Sequence, residues 1–182
     1  MLCGGTVTVG GFWVGTKMSG SKKPLSPLAK AFVFYGSYHS DHTNQVIHVA
    51  CVPVILTTAL GFLAKLPLPA SAGALVPAIA KRAFGAAAST WALPVAVGYA
   101  GYYLSLAPGL LGASAAALVL GGLKLSTVAQ ALVSNRVLVG AHVVSWLAQF
   151  VGHGVYEGRS PALLDNLFQA IFMAPFFVCA WS

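Results

Sequence analysis

Long apolar runs, separated by short polar or proline-rich segments, set the pattern of this chain. From Val46 to Ala64 there is no Asp, Glu, Lys or Arg, and the run stops at Lys65. A bilayer core about 30 Å thick takes about 20 such residues as a helix, so this stretch predicts a first membrane span. Leu66 to Ala80 is also apolar, but Pro67, Pro69 and Pro77 interrupt it. Proline removes a backbone donor and breaks helices, so an interfacial or re-entrant connection is expected there. Ala83 to Leu123 carries no charge at all, and Pro108-Gly109 punctuates it into two spans with a tight turn between them. Val137–Tyr156 and Asn166–Trp181 predict two further spans, and Leu28–Tyr38 a short amphipathic helix ahead of the first. Only helices or closed barrels cross a bilayer, and these unbroken runs lack the alternation of a barrel strand. The expected architecture is therefore all-α: a polytopic transmembrane helix bundle of four to five spans.

Composition strengthens this reading. Only 7% of the 182 residues are charged, against about 25% in an average soluble domain. The small residues of Gly112–Gly122 would let helices approach closely. Trp91, Tyr99, Tyr102, Tyr103, Trp146 and Trp181 are candidates for interfacial anchors. The formal charge is +7, yet the cations are scattered between apolar segments and form no stripe or basic arm. That excludes a nucleic-acid partner and fits a lipid bilayer with an anionic surface. Lys22, Lys23 and Lys30 favour a cytosolic N-terminus. The three cysteines, Cys3, Cys51 and Cys179, are odd in number and dispersed, so neither a disulfide scaffold nor a thiolate metal site is expected. Met1 to Lys17 is Gly-rich without a basic n-region and does not read as a secretory signal. Residues 1–27 are expected to be a disordered segment, or Met18 to be an alternative start, and residues 28–182 a single transmembrane domain.

Against this apolar background the ionisable groups stand out. All five histidines and two of the three acids fall in two segments, Tyr38–His48 and His142–Glu157. Ionisable groups at membrane depth are costly and mark function, so the two clusters predict one shared site. The sequence Ser40-Asp41-His42-Thr43-Asn44 is a break and cap signal. A turn there would fold His39 back towards His48, and His153 from a later span would complete the set. His153 and Glu157 stand at i and i+4, on one face of a regular helix, where they could share an ion or the carboxylate could orient the ring. His142 is eleven residues before His153, on the same face but roughly 16 Å along the axis, too far to share one ion on a straight helix. Neutral imidazoles with open positions suit iron, zinc, copper or nickel. Asn44 and Gln149, each one turn before a histidine, are candidates to support the ligands from behind. His42 reads as a solvated loop residue, and Asp165 as a capping or interfacial group.

At these residues the chain resembles a known family. Phe34-Tyr35-Gly36-Ser37-Tyr38-His39, with Asn44, Ile47-His48 and Pro53, is similar to the opening motif of the 2-hydroxy fatty acid dioxygenases. Trp146-Leu147-Ala148-Gln149-Phe150-Val151-Gly152-His153, with Glu157, Pro161-Ala162-Leu163 and Ala174-Pro175, is similar to the closing one. The resemblance implies a multi-pass endoplasmic reticulum membrane enzyme that uses ferrous iron, Fe(2+), without 2-oxoglutarate. It implies 2-hydroxy fatty acid and O2 as substrates, with release of CO2 and a fatty acid one carbon shorter, in α-oxidation and phytosphingosine degradation. By the same resemblance His39, His48 and His153 are iron ligands, His142 is a fourth candidate, and Glu157 supports the ligands or transfers a proton. Two alternatives stand beside it: a different metal-dependent lipid enzyme such as a zinc hydrolase, and a non-enzymatic lipid-binding protein.

Overall fold

The computed structural model describes residues 24–181. The expected disorder of the N-terminal segment falls on residues that are largely outside this range, as do Cys3, Met18, Lys22 and Lys23. The described residues are helical throughout, and their only pairing of β type is an isolated bridge between Pro67 and Thr90.

Helix α1 (Pro27–Gly36) starts with proline in its first turn and Ser26 as cap, whose Oγ accepts from the Ala29 amide at 3.1 Å. A turn leads to α2 (His42–Leu63), capped by Asp41, whose carboxylate accepts from the Asn44 amide at 3.0 Å. The proline-rich connection folds into two short helices, α3 (Ala70–Ala74) and α4 (Ala78–Phe84), followed by a 3-10 turn over Gly85–Ser89. Helices α5 (Ala92–Leu106) and α6 (Leu110–Leu132) form the expected hairpin. Gly109 makes its turn at φ 124°, a conformation only glycine adopts without strain. The first arm of that hairpin starts later than the uncharged run, because residues 85–91 are spent on the 3-10 turn and its exit. The second arm runs past Lys124, whose ammonium reaches out to the Ala83 carbonyl at 3.0 Å. Helix α7 (Asn135–Val151) continues into a π-helical segment, Gly152–Glu157. A short α8 (Ala162–Asp165) precedes α9 (Leu167–Trp181).

Among the described residues, α2, α6 and α7 with its π-helical extension are long and apolar enough to cross a membrane. Helices α5 and α9 are equally apolar but shorter. Helix α2 is central and packs on α5, α6, α7 and α9. Tyr103, Val119, Leu123, Met173, Phe176 and Phe177 fill the core around it. Gly112, Ala115, Ala116, Val119 and Gly122 of α6 are buried, as the small-residue stretch implied. The outer faces expose Val97, Leu104, Leu125, Val144 and Leu147. So many exposed apolar side chains on helices of this length match a lipid solvent. Of the expected aromatic anchors, Trp91 is exposed. Tyr103 instead lies in the core, with its hydroxyl donating to the Phe172 carbonyl at 2.6 Å, and Trp146 lines an internal cavity.

Candidate metal centre

The Asp41 cap turns the chain between α1 and α2, so that His39 before the turn faces His48 in the second turn of α2. His153 arrives from the π-helical end of α7. The ring centroids are 4.5 Å apart for His39 and His48, 4.8 Å for His39 and His153, and 4.9 Å for His48 and His153. One ligand atom from each lies within 4.8 Å of the others. All three rings are at most 3% exposed.

The backbone fixes two of the tautomers. His39 Nδ1 donates to the Tyr35 carbonyl at 2.8 Å, and His48 Nδ1 to the Asn44 carbonyl at 2.9 Å. A carbonyl can only accept, so each Nδ1 carries the proton and each Nε2 presents a lone pair. Burial first, and then the neighbouring His48, pushes His39 down to about 3, so its ring is neutral. Tyr35 stacks on His39 at 4.0 Å and on Phe177 at 4.2 Å, which holds the His39 ring in plane. His39 Nε2 and His153 Nδ1 are buried and have no hydrogen-bond partner. A buried polar atom left unpaired costs about 1–3 kcal/mol, so their convergence marks a place that a bound ion would satisfy. The donor set fits a metal: three buried imidazoles, each with a ligand atom within 4.8 Å of the other two.

Glu157 is placed differently from the regular-helix expectation. The π-helical turn swings its carboxylate over the start of α2. There it accepts from the Ser40 amide at 2.7 Å, the Ser40 hydroxyl, the Asp41 amide at 2.9 Å and Asn44 Nδ2 at 3.1 Å. It thus ties the π-helical end of α7 to the turn that follows His39. Asn44 is fully buried and also donates from Nδ2 to the Tyr38 carbonyl at 3.3 Å. It supports His48 through its backbone carbonyl; its side chain serves Glu157. Gln45, which the sequence did not single out, donates to the His39 carbonyl at 2.7 Å.

His142 lies outside the triad. Its Nδ1 meets Thr58 Oγ1 at 2.7 Å and its Nε2 accepts from Trp146 Nε1 at 3.1 Å, so both ring nitrogens are engaged. Asp165 accepts from the Tyr38 hydroxyl, an interaction that raises the Tyr38 pKa. Arg159 lies over the Tyr38 ring at 3.7 Å and donates to the Ser37 carbonyl at 3.0 Å. These contacts fasten the segment after the π-helix to the end of α1. His42 is exposed at the start of α2, and Cys51 and Cys179 are free thiols.

The triad opens on a cavity of about 300 Å³. Its walls include Val52, Ile55, Leu56 and Ala59 of α2, Trp146, Gln149 and Phe150 of α7, and Ile171 and Ala174 of α9. Among the described residues no Lys, Arg, Asp or Glu lines it. A polar, nitrogen-rich head and an apolar body are the shape of a site for an amphiphile.

Residues 25–182 match the family described as "2-hydroxy-palmitic acid dioxygenase Mpo1-like". The chain belongs to the Mpo1-like family. It is 31% identical over 160 residues to the 2-hydroxy-palmitic acid dioxygenase MPO1 of Saccharomyces cerevisiae, covering 85% of this chain and 78% of the yeast protein. No solved structure matches the chain. The match spans both histidine-bearing segments, so this Mpo1-like chain carries its triad within the matched region.

Proposed function

We propose that the chain is an iron(II)-dependent dioxygenase of 2-hydroxy fatty acids that needs no 2-oxoglutarate. The observation that carries the reading is the triad His39, His48 and His153: three buried rings, two with unpaired nitrogens, at the head of an apolar cavity. The name of the yeast relative supports the substrate class. In the proposed reaction R-CH(OH)-COOH and O2 give R-COOH, CO2 and H2O. The bond between C1 and C2 breaks, the acid is oxidised by four electrons, and O2 takes them up.

His39, His48 and His153 would hold a ferrous ion whose remaining positions supply the chemistry by which O2 and the 2-hydroxy acid meet. The chain's own residues prepare that meeting. The carbonyls of Tyr35 and Asn44 keep two ligand nitrogens deprotonated and aimed. No carboxylate stands among the three, so these residues themselves would set no negative charge against an anionic head group. Val52, Leu56, Phe150 and Ile171 exclude water and take the acyl tail. With α2, α6 and α7 set in a bilayer, the tail passes from lipid to cavity without crossing water. The family resemblance supports a place in the endoplasmic reticulum membrane, in α-oxidation and phytosphingosine breakdown.

The test is elemental analysis of protein purified in detergent without oxygen, beside a His39→Ala/His153→Ala variant, followed by O2 uptake with 2-hydroxypalmitate. About one iron per chain, lost in the variant, with O2 consumed and CO2 released, is the expected result. Zinc with turnover that needs no O2 would point to a hydrolase. Absence of metal from both proteins would leave a lipid-binding protein.

A further inference from the structure

We infer that Gln149 recognises the carboxylate of the ligand, its side-chain amide donating to the head group while the hydroxyl and carboxyl oxygens face the triad. The inference deepens the reading above and rests on it.

Gln149 is 8% exposed and lines the cavity, yet its side-chain Nε2 has no partner. It sits one turn before His153 on the same helix, about 6 Å along the axis, between the triad and the apolar part of the cavity that begins at Trp146. A carboxylate entering this cavity must leave water, and a buried anion needs donors. The described walls offer no Lys or Arg. The indole N–H of Trp146 is already given to His142, and both nitrogens of His142 are engaged. Nδ1 of His39 and of His48 is spent on backbone carbonyls. Tyr35 and Tyr99 also line the wall, but among the described wall residues Gln149 is the one whose side-chain amide is buried without a partner. Whichever way the amide is turned, one polar atom waits for a partner that the fold does not supply. A buried donor left unpaired by the fold also discriminates. A lipid of the same length without the acid group would leave the amide unsatisfied, and sites built this way reject such analogues strongly.

The experiment uses anaerobic, iron-loaded full-length protein in detergent, so that ligands bind without turnover. Binding is read from intrinsic tryptophan fluorescence, to which Trp146 in the cavity wall contributes. The ligands are 2-hydroxypalmitate and 1,2-hexadecanediol, which keeps the hydroxyl and lacks the carboxylate. Gln149→Met conserves length and removes the amide; Gln149→Glu places a second anion against the head group. We expect Gln149→Met to keep its iron and melting temperature, to lose at least tenfold in affinity for 2-hydroxypalmitate, and to bind the diol as the unaltered protein does. We expect Gln149→Glu to bind the acid more weakly still. Equal affinity of Gln149→Met and the unaltered protein for the acid would overturn the assignment and leave the dioxygenase reading intact. Loss of iron in Gln149→Met would overturn it in favour of a structural role, and failure of the unaltered protein to bind the acid would overturn both.

Discussion

A Cβ placed on Gly152 would lie 2.5 Å from Asn44 Oδ1, so α7 and α2 meet at a distance that only glycine permits. Asn44 cannot retreat easily. It is fully buried, its Nδ2 is held by Glu157 and the Tyr38 carbonyl, and its own carbonyl accepts from His48. Gly152→Ala should therefore cost about 1–3 kcal/mol by overpacking and shift His48 with Asn44. We expect a lower melting temperature together with iron lost from the purified protein. Gly154→Ala, where nothing lies within 4 Å, is the control and should change neither.

The triad and His142 should separate cleanly. Replacing His39, His48 or His153 by alanine removes one of three converging nitrogens, and each variant should lose both iron and O2 uptake. His142→Phe leaves Thr58 and Trp146 without their shared partner, at about 1–3 kcal/mol, but touches no ligand. It should keep its iron and melt earlier. Loss of iron from His142→Phe, by elemental analysis, would make His142 part of the metal site.

Glu157 should act as a clamp. Four donors converge on its carboxylate, and Glu157→Gln keeps the shape but replaces one acceptor oxygen by a donor. We expect a loss of about 1–3 kcal/mol, weaker iron retention, and a pH profile of kcat shaped like that of the unaltered enzyme. A profile that loses one limb would instead make Glu157 a proton carrier.

What the sequence could and could not tell divides along the helix geometry. The turn that brings His39 to His48 was legible, because Ser40-Asp41 is a cap signal and Asp41 does accept from the Asn44 amide. The long helices were legible from uncharged runs. The placement of Glu157 was not, since spacing arguments assume 3.6 residues per turn and Gly152–Glu157 is π-helical. Nor could spacing reveal that the backbone carbonyls of Tyr35 and Asn44 accept from His39 and His48, because any residue type offers that group. Tyr103 and Trp146 were read as possible interfacial aromatics, but composition cannot tell an anchor from a core residue when all the surroundings are apolar.

The cavity wall on α2 allows a test of chain length. Val52, Ile55, Leu56 and Ala59 recur at helical spacing along one face, with His48 at their head. Ala59 lies eleven residues beyond His48, roughly 16 Å along the axis, where the distal part of an acyl tail would reach. Ala59→Phe fills that end and leaves the triad untouched. Each methylene denied its apolar wall forfeits about 0.8 kcal/mol, so excluding two or three should lower kcat/KM for 2-hydroxypalmitate by roughly 10- to 100-fold. Shorter 2-hydroxy acids should be turned over at rates near those of the unaltered enzyme, so that the preferred length moves down with iron content unchanged. An unaltered length profile would mean that the tail leaves the cavity before Ala59, between α7 and α9, and lies in the surrounding lipid.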